Sequence, residues 1–69
     1  MNLGLILGDV FETKKGTFVV TGIQFQKGRR IGVLIKAYNF ANDDRHSPKF
    51  LSDELIKINE FKYKGNELL

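Results

Sequence analysis

The polar segment around His46 holds the residue types that nucleophilic and metal chemistry use. A catalytic triad needs a base beside a nucleophile and a third group that orients the base. His46 is the sole histidine, and its neighbours Asp44 and Ser47 lie with it on one predicted loop, where adjacent side chains do not converge as a triad requires. The loop offers too few oxygen ligands for a hard cation, and the chain has no cysteine for a conventional zinc site. We therefore expect no enzyme activity, no metal site and no cofactor.

Basic residues are concentrated in the middle of the chain. The net charge is +3, but residues 14–49 hold eight basic side chains against the two acidic ones of Asp43 and Asp44, which gives +6. Residues 1–13 and 50–69 carry −2 and −1. A clustered basic surface is the electrostatic footprint of proteins that bind polyanions. The alternative is a solvated surface that keeps a small domain soluble.

Two groups of residues have the chemistry to contact nucleic acid. Lys27, Arg29 and Arg30 surround Gly28 at a predicted turn, with no acidic residue within five positions on either side. Further along, Lys36, Tyr38 and Phe40 share one face of a predicted strand, where exposed rings can stack on bases while cations track phosphates. The alternative is that Tyr38 and Phe40 pack beneath the polar loop that follows them. The predicted contact residues are Lys27, Arg29, Arg30, Lys36, Tyr38, Arg45 and Lys49.

These features indicate a small non-enzymatic module that binds nucleic acid, or an assembly that carries it, through a basic hairpin. The alternative is a protein-interaction modulator or inhibitor of bacterial or phage origin, acting through a sheet edge or an apolar patch. An edge strand could also pair with a second copy of the chain. No apolar run approaches the roughly 20 residues of a membrane span, and the segment 3–7 is too short for a signal peptide. We therefore expect a cytoplasmic protein with no membrane partner.

A long hairpin must position the basic residues. Its predicted arms, 17–26 and 31–40, are rich in β-branched and aromatic residues and are joined by Lys27-Gly28-Arg29-Arg30. The apolar residues of the first arm change phase at Thr21-Gly22, which predicts a β-bulge. With that bulge and a three-residue loop 26–28, all the apolar residues of the first arm face inward: Phe18, Val20, Ile23 and Phe25. The expected pairs are Ile23 with Ile31, Val20 with Val33, and Phe18 with Ile35.

An N-terminal strand precedes the hairpin. Leu3, Leu5 and Leu7 alternate with other residues, and a turn at Lys15-Gly16 would place Phe11 opposite Val20 and Thr13 opposite Phe18. The chain then forms a three-stranded antiparallel meander over residues 3–40, with Phe11 and Leu7 inside.

The C-terminal third fits two structures. Ser52 as N-cap, the lysines of the last turn and Gly65 as a stop are typical of a helix over residues 53–64. The alternation of apolar and basic residues in Ile56-Lys57-Ile58 instead favours a strand after a short helical turn at 52–55. We favour the second interpretation, in which one core contains Phe18, Val20, Ile23, Ile35, Leu55 and Ile58.

The predicted fold is a single domain, 1–69, of the mainly β class, an antiparallel barrel of about five strands with a helical turn near 52–55. Its alternative is an α+β fold with a helix over 53–64. The pattern of Gly8-Asp9, the bulge at Gly22, and Ser52-Asp53-Glu54-Leu55 leading into Ile56 and Ile58 resembles the small SH3-like barrel. That resemblance covers about residues 7–59, includes no specific family motif and carries over no site residues.

Overall fold

The computed structural model describes residues 4–69 as one antiparallel sheet with a short helix. The strands lie in the order β4-β3-β2-β1-β5, and within the described residues the edge strands β4 and β5 do not pair with each other. The predicted class, mainly β with five strands and a short helix before the last, is confirmed, although the sheet stays open instead of closing into a barrel. The elements are β1 (Asp9–Thr13), β2 (Gly16–Gln26), β3 (Arg29–Ala37), a 3₁₀ turn (Tyr38–Phe40), β4 (Lys49–Ser52), α1 (Asp53–Ile58) and β5 (Lys62–Asn66).

The central hairpin turns through two residues. Lys27 and Gly28 both have positive φ, 51° and 77°, as the tight turns that suit twisted strands require. Gln26 therefore pairs with Arg29, and Val20 pairs with Ile35 where Val33 was expected. The predicted three-residue loop is wrong. Because the register differs by two residues, and side chains alternate with a period of two, the inward face of the hairpin is unchanged.

The predicted bulge in β2 is confirmed. Val20 pairs with Ile35 and Gly22 with Leu34, so Thr21 is the extra residue, and its hydroxyl donates a hydrogen bond to the carbonyl of Leu34 (3.3 Å). A second shift follows between Gln24 and Phe25. Beyond it the strands extend past the core. Phe25 is 64% exposed, so the prediction that it points inward is wrong.

The first turn lies one residue earlier than predicted, which shifts the strand register by two residues. Lys14 and Lys15 form it, so Thr13 pairs with Gly16 and Phe11 with Phe18. Leu5 is buried but Leu7 is half exposed, against prediction, because a turn comes before β1 and the Asp9 N–H donates to the carbonyl of Ile6. The expectation for Leu3 lies outside the described residues.

Helix α1 is longer than the favoured turn and shorter than the alternative helix. The Ser52 hydroxyl accepts a hydrogen bond from the Leu55 N–H (3.2 Å), and Asn59 ends the helix by donating its N–H to the Leu55 carbonyl. Helical periodicity turns Ile56 to the core and leaves Leu55 and Ile58 exposed, by 45% and 75%. Their predicted burial is therefore wrong.

One hydrophobic core packs against one face of the sheet. Phe11 is at its centre, with its ring centroid 6.0 Å from that of Phe18 and 5.5 Å from that of Phe61 in an edge-to-face arrangement. Val20 and Ile35 are buried as predicted, whereas Ile23 is half-buried and outside the cluster. The buried members are Leu5, Phe11, Val20, Val33, Ile35 and Ile56, with Phe18, Leu51 and Phe61 packed against them.

Candidate nucleic-acid interface

The predicted contact residues lie in two places, at opposite ends of β3. Eight residue steps, from 29 to 37, at about 3.3 Å each separate the strand ends by about 26 Å. The whole molecule is 30 Å in its longest dimension. The structure therefore does not bring the seven residues onto one surface. The hairpin tip holds Lys27, Arg29 and Arg30, and the loop end holds Lys36, Tyr38, Arg45 and Lys49.

At the hairpin tip, two of the three cations are free. Lys27 and Arg29 are exposed, and among residues 4–69 no carboxylate lies within 4.0 Å of either. Arg30 instead donates from Nε to the Oδ2 of Asp53 (3.1 Å), with about a quarter of each side chain exposed. The expectation of three unneutralised cations is thus wrong for Arg30, because its partner is 23 positions away in the sequence.

The ion pair between Arg30 and Asp53 fastens the hairpin to the start of α1. Such a half-buried pair holds two elements together more than it offers charge to a ligand. One terminal nitrogen of Arg30, Nη2, is buried without a hydrogen-bond partner among the described groups. Arg30 therefore belongs to the structural framework of the tip.

Arg45 is also paired, but its guanidinium stays at the surface. Its Nη2 lies 2.9 Å from the Oδ2 of Asp43, and its Nε donates to the Oδ1 (3.1 Å). The hydrogen bond from this side chain, followed by the one from the Arg45 backbone N–H, holds the pKa of the Asp43 carboxyl below its ordinary value of 3.8. The Arg45 side chain is 85% exposed, so it still presents donors to solvent while Asp43 offsets its charge.

The two lysines of the loop end differ in their surroundings. Lys36 is half-buried and donates from Nζ to the backbone carbonyl of Asp43 (3.1 Å), which ties β3 to the loop. Lys49 is exposed on the edge strand β4, opposite Ile35. Only Lys49 therefore offers an unoccupied ammonium group to a ligand.

The aromatic residues of this end do not continue β3 as expected. The strand ends at Ala37, and Tyr38–Phe40 form a 3₁₀ turn, so strand alternation no longer applies to them. Both rings are 43% exposed. Phe40 packs against His46 with ring centroids 4.3 Å apart, as the alternative interpretation of a ring under the loop requires. Tyr38 makes no such ring contact within residues 4–69.

Sequence reasoning missed a basic turn that lies beside these rings. Because Phe18 pairs with Ala37, the turn between β1 and β2 comes next to the end of β3. Lys15 then lines a shallow groove of about 320 Å³ together with Tyr38 and Phe40, and no acidic residue lines it. The correct register of β2 on β3 is the signal that would have revealed this groove.

A second missed feature is the carboxylate of Asp9, the buried charged residue of the structure, which is 5% exposed. Its Oδ2 accepts from the Ile6 N–H (2.7 Å), and its Oδ1 accepts from the Tyr63 hydroxyl (3.2 Å) and the Asn66 side-chain amide (2.8 Å). Partial burial of Tyr63, followed by its hydrogen bond to Asp9 and the negative charge of Asp9, raises the pKa of the Tyr63 phenol above its ordinary value of 10.0. An acidic residue inside an apolar strand pattern was the available signal.

The described part of the chain holds neither a cluster of metal ligands nor a helix that could span a membrane. Residues 4–69 place no three His, Asp or Glu side chains together where they could hold a metal ion. Neither α1 nor any other described helix has the length and apolar character that crossing a membrane requires.

Comparisons with protein-family models, with curated proteins and with solved structures gave no significant match to this chain. Inferences about function therefore depend on the residues themselves.

Proposed function

We propose that this protein is a non-enzymatic module that binds single-stranded nucleic acid. The observation that supports this function best is the groove in which Lys15 lies beside the exposed rings of Tyr38 and Phe40. Stacking of a base on an aromatic ring contributes about 1–3 kcal/mol and tolerates any sequence, and a neighbouring ammonium group attracts the phosphate. Such a module would act in the cytoplasm, as expected from the sequence.

The hairpin tip supplies a second contact for the same strand. Lys27 and Arg29 have no carboxylate partner among the described residues, so their field extends to an approaching phosphate. The length of β3, about 26 Å, separates them from the groove. A short oligonucleotide can therefore reach one place only, and a longer one can reach both.

Binding of fluorescently labelled oligothymidylates, measured by anisotropy over a range of salt concentrations, tests this function. Tyr38→Ala should weaken binding by about 5-fold to 150-fold while leaving the salt slope unchanged, because stacking does not release counterions. Lys27→Gln with Arg29→Gln should lower the slope by about 1.4, which is two contacts at 0.7 each for a single strand. The tip variant should affect long oligonucleotides and leave short ones unaffected.

The matched control is Lys57→Gln with Lys64→Gln, which removes two exposed charges outside both places. It should change the slope far less than the tip variant does. Failure of the wild-type protein to bind any oligonucleotide at low salt, or equal losses in the control and tip variants, would refute the proposal. Arg30 is left unchanged in these variants, because its removal would leave Asp53 without its partner.

The second candidate function is a protein-interaction module. Three large apolar side chains near the tip and on α1 favour it, since Phe25, Leu55 and Ile58 are 64%, 45% and 75% exposed. An apolar interface of this kind would bind with little dependence on salt, unlike the nucleic-acid interface. Capture of a partner that persists at high salt and after nuclease treatment, combined with absent oligonucleotide binding, would favour this candidate.

A further inference from the structure

A second groove of the described structure has no part in the proposed nucleic-acid interface. It has a volume of about 590 Å³ and lies between the N-terminal segment, residues 59–61 and β5. That volume is within the range of about 300–1,000 Å³ that small-ligand sites occupy. Its lining is Gly4, Leu5, Ile6, Asp9, Asn59, Glu60, Phe61, Tyr63 and Leu69.

The charges in this groove are opposite in sign to those of the protein as a whole. The chain carries a net charge of +3, yet Asp9 and Glu60 line the groove and no lysine or arginine does. Both the hairpin tip and the loop end, by contrast, are basic. A cleft lined by charge of one sign, with apolar walls, concentrates ligands of the opposite sign.

Asp9 is the residue that sets this preference. It is 5% exposed, and its three hydrogen-bond donors, from Ile6, Tyr63 and Asn66, are all neutral. Among residues 4–69 no basic group lies within 4.0 Å of its carboxylate. Neutral donors satisfy the oxygens, but they leave the negative charge without a cationic partner among residues 4–69, in surroundings where charges interact strongly. A cation entering the groove would compensate it.

The rest of the lining is suited to an apolar body. Leu5, Ile6 and Phe61 line the groove, and the ring of Tyr63 lies beside Asp9. Aromatic rings also attract ammonium and guanidinium groups through their π electrons. A strongly hydrated inorganic ion would use neither the apolar walls nor the rings.

We propose that this groove binds a small organic cation, an ammonium or guanidinium group attached to an apolar body. Its charge lies near Asp9 and Glu60, and its apolar body packs against Leu5 and Phe61. This site is separate from the proposed nucleic-acid interface, so either can be disproved while the other stands.

An NMR titration with benzylguanidinium tests the proposal, because a guanidinium group stays charged at every pH used. We expect saturable shifts of the Ile6 amide, which donates to Asp9, and of the Tyr63 and Phe61 signals. The matched ligand is 3-phenylpropanoate, which has a similar ring and the opposite charge, and we expect it to cause no saturable shift. Equal binding of the two ligands, or shifts located outside the groove, would overturn the proposal.

Three variants separate the site from general charge effects. Glu60→Gln should weaken binding by about threefold, as expected for an exposed carboxylate, and Asp9→Asn by about tenfold or more. The control Glu54→Gln removes the same charge from the exposed side of α1, and we expect the wild-type affinity. If Asp9→Asn does not fold, Glu60→Gln decides the matter, since its side chain is exposed. Equal affinities of the Glu60 and Glu54 variants would overturn the site.

Discussion

Gly32 is a position where adding a single methyl group should destabilise the fold. It is buried in β3 opposite Ser52, and a Cβ atom there would clash with the backbone oxygen of Leu51 and lie 2.7 Å from the ring of Phe50. A backbone oxygen cannot rotate away as a side chain can, so β4 would have to move. Overpacking of this kind costs about 1–3 kcal/mol. The smaller entropy of the unfolded alanine chain offsets about 0.4–1 kcal/mol of that.

The matched control for Gly32→Ala is Gly22→Ala, the same change in the neighbouring strand. There the added Cβ meets only the Leu34 Cδ1 atom, at 3.3 Å, and that methyl group can shift. For a chain of 69 residues, an unfolding entropy of about 2.1 cal/mol/K per residue makes 1 kcal/mol equivalent to about 7 °C in Tm. We expect Gly32→Ala to lower Tm by about 4–14 °C, the equivalent of a net cost of about 0.6–2 kcal/mol. Gly22→Ala should stay within about 4 °C of wild type.

Thermal unfolding followed by circular dichroism would measure both variants. Equal midpoints for the two would refute the reasoning, because they would show that the close approach of β4 to Gly32 imposes no cost. A fluorescence or NMR probe on β4 would add a second readout. In Gly32→Ala, signals from Phe50 should change while those of β1 remain as in the wild-type protein.

Two other predictions concern the core and the buried carboxylate. Ile35→Ala should lower the free energy of unfolding in urea by about 2–5 kcal/mol, because its side chain is buried. Ile58 is 75% exposed, so Ile58→Ala should change it by no more than about 0.5 kcal/mol. Similar costs for the two variants would contradict the observed orientation of α1. In a Tyr38→Phe background, absorbance should show that the Tyr63 phenol ionises above 10.0, and that Asp9→Asn lowers this midpoint. Because the pKa of Tyr63 is raised in the folded protein, its contribution to stability is present below pH 10 and is lost as the pH rises through the folded pKa. An unchanged ionisation midpoint of Tyr63 in Asp9→Asn would show that Asp9 does not raise this pKa.

The inward face of the hairpin could be predicted from the sequence, but its register could not. Alternation of apolar residues determines which side of a strand is buried, and the phase change at Thr21-Gly22 located the bulge correctly. Turn position is a weaker signal, because Lys14-Lys15 and Lys27-Gly28 are each adjacent to other plausible turn residues. Both turns were placed incorrectly, and both registers were wrong by two residues, an error that leaves the faces unchanged.

In the C-terminal third, the hydrogen bonds that cap α1 determine the local structure, and the alternation of apolar residues does not. Ser52 and Asn59 satisfy the two ends of α1 with hydrogen bonds, and Ile56 alone provides its buried anchor. The alternation in Ile56-Lys57-Ile58 therefore did not indicate a strand, which begins only at Lys62.

Which cations are free could not be read from the sequence. Neighbouring positions showed no acid near Arg30, but its partner Asp53 approaches through the tertiary fold. Lys15 and Tyr38, likewise, become neighbours only through the pairing of β2 with β3. Counting charges along the chain located the basic region correctly. It could not show how the basic residues are divided between the two ends of β3.

The strand order also has a consequence for the sequence of folding events. The central hairpin needs only the short turn at Lys27-Gly28, whereas pairing of β1 with β5 brings together residues such as Asp9 and Tyr63, 54 positions apart. Closing so long a segment costs more chain entropy than closing a tight turn. We therefore expect the hairpin to form the folding nucleus and β5 to join last. In native-state hydrogen exchange, the amides of β5 should open more readily than those of β2, with the edge of β1 as the site exposed by that opening.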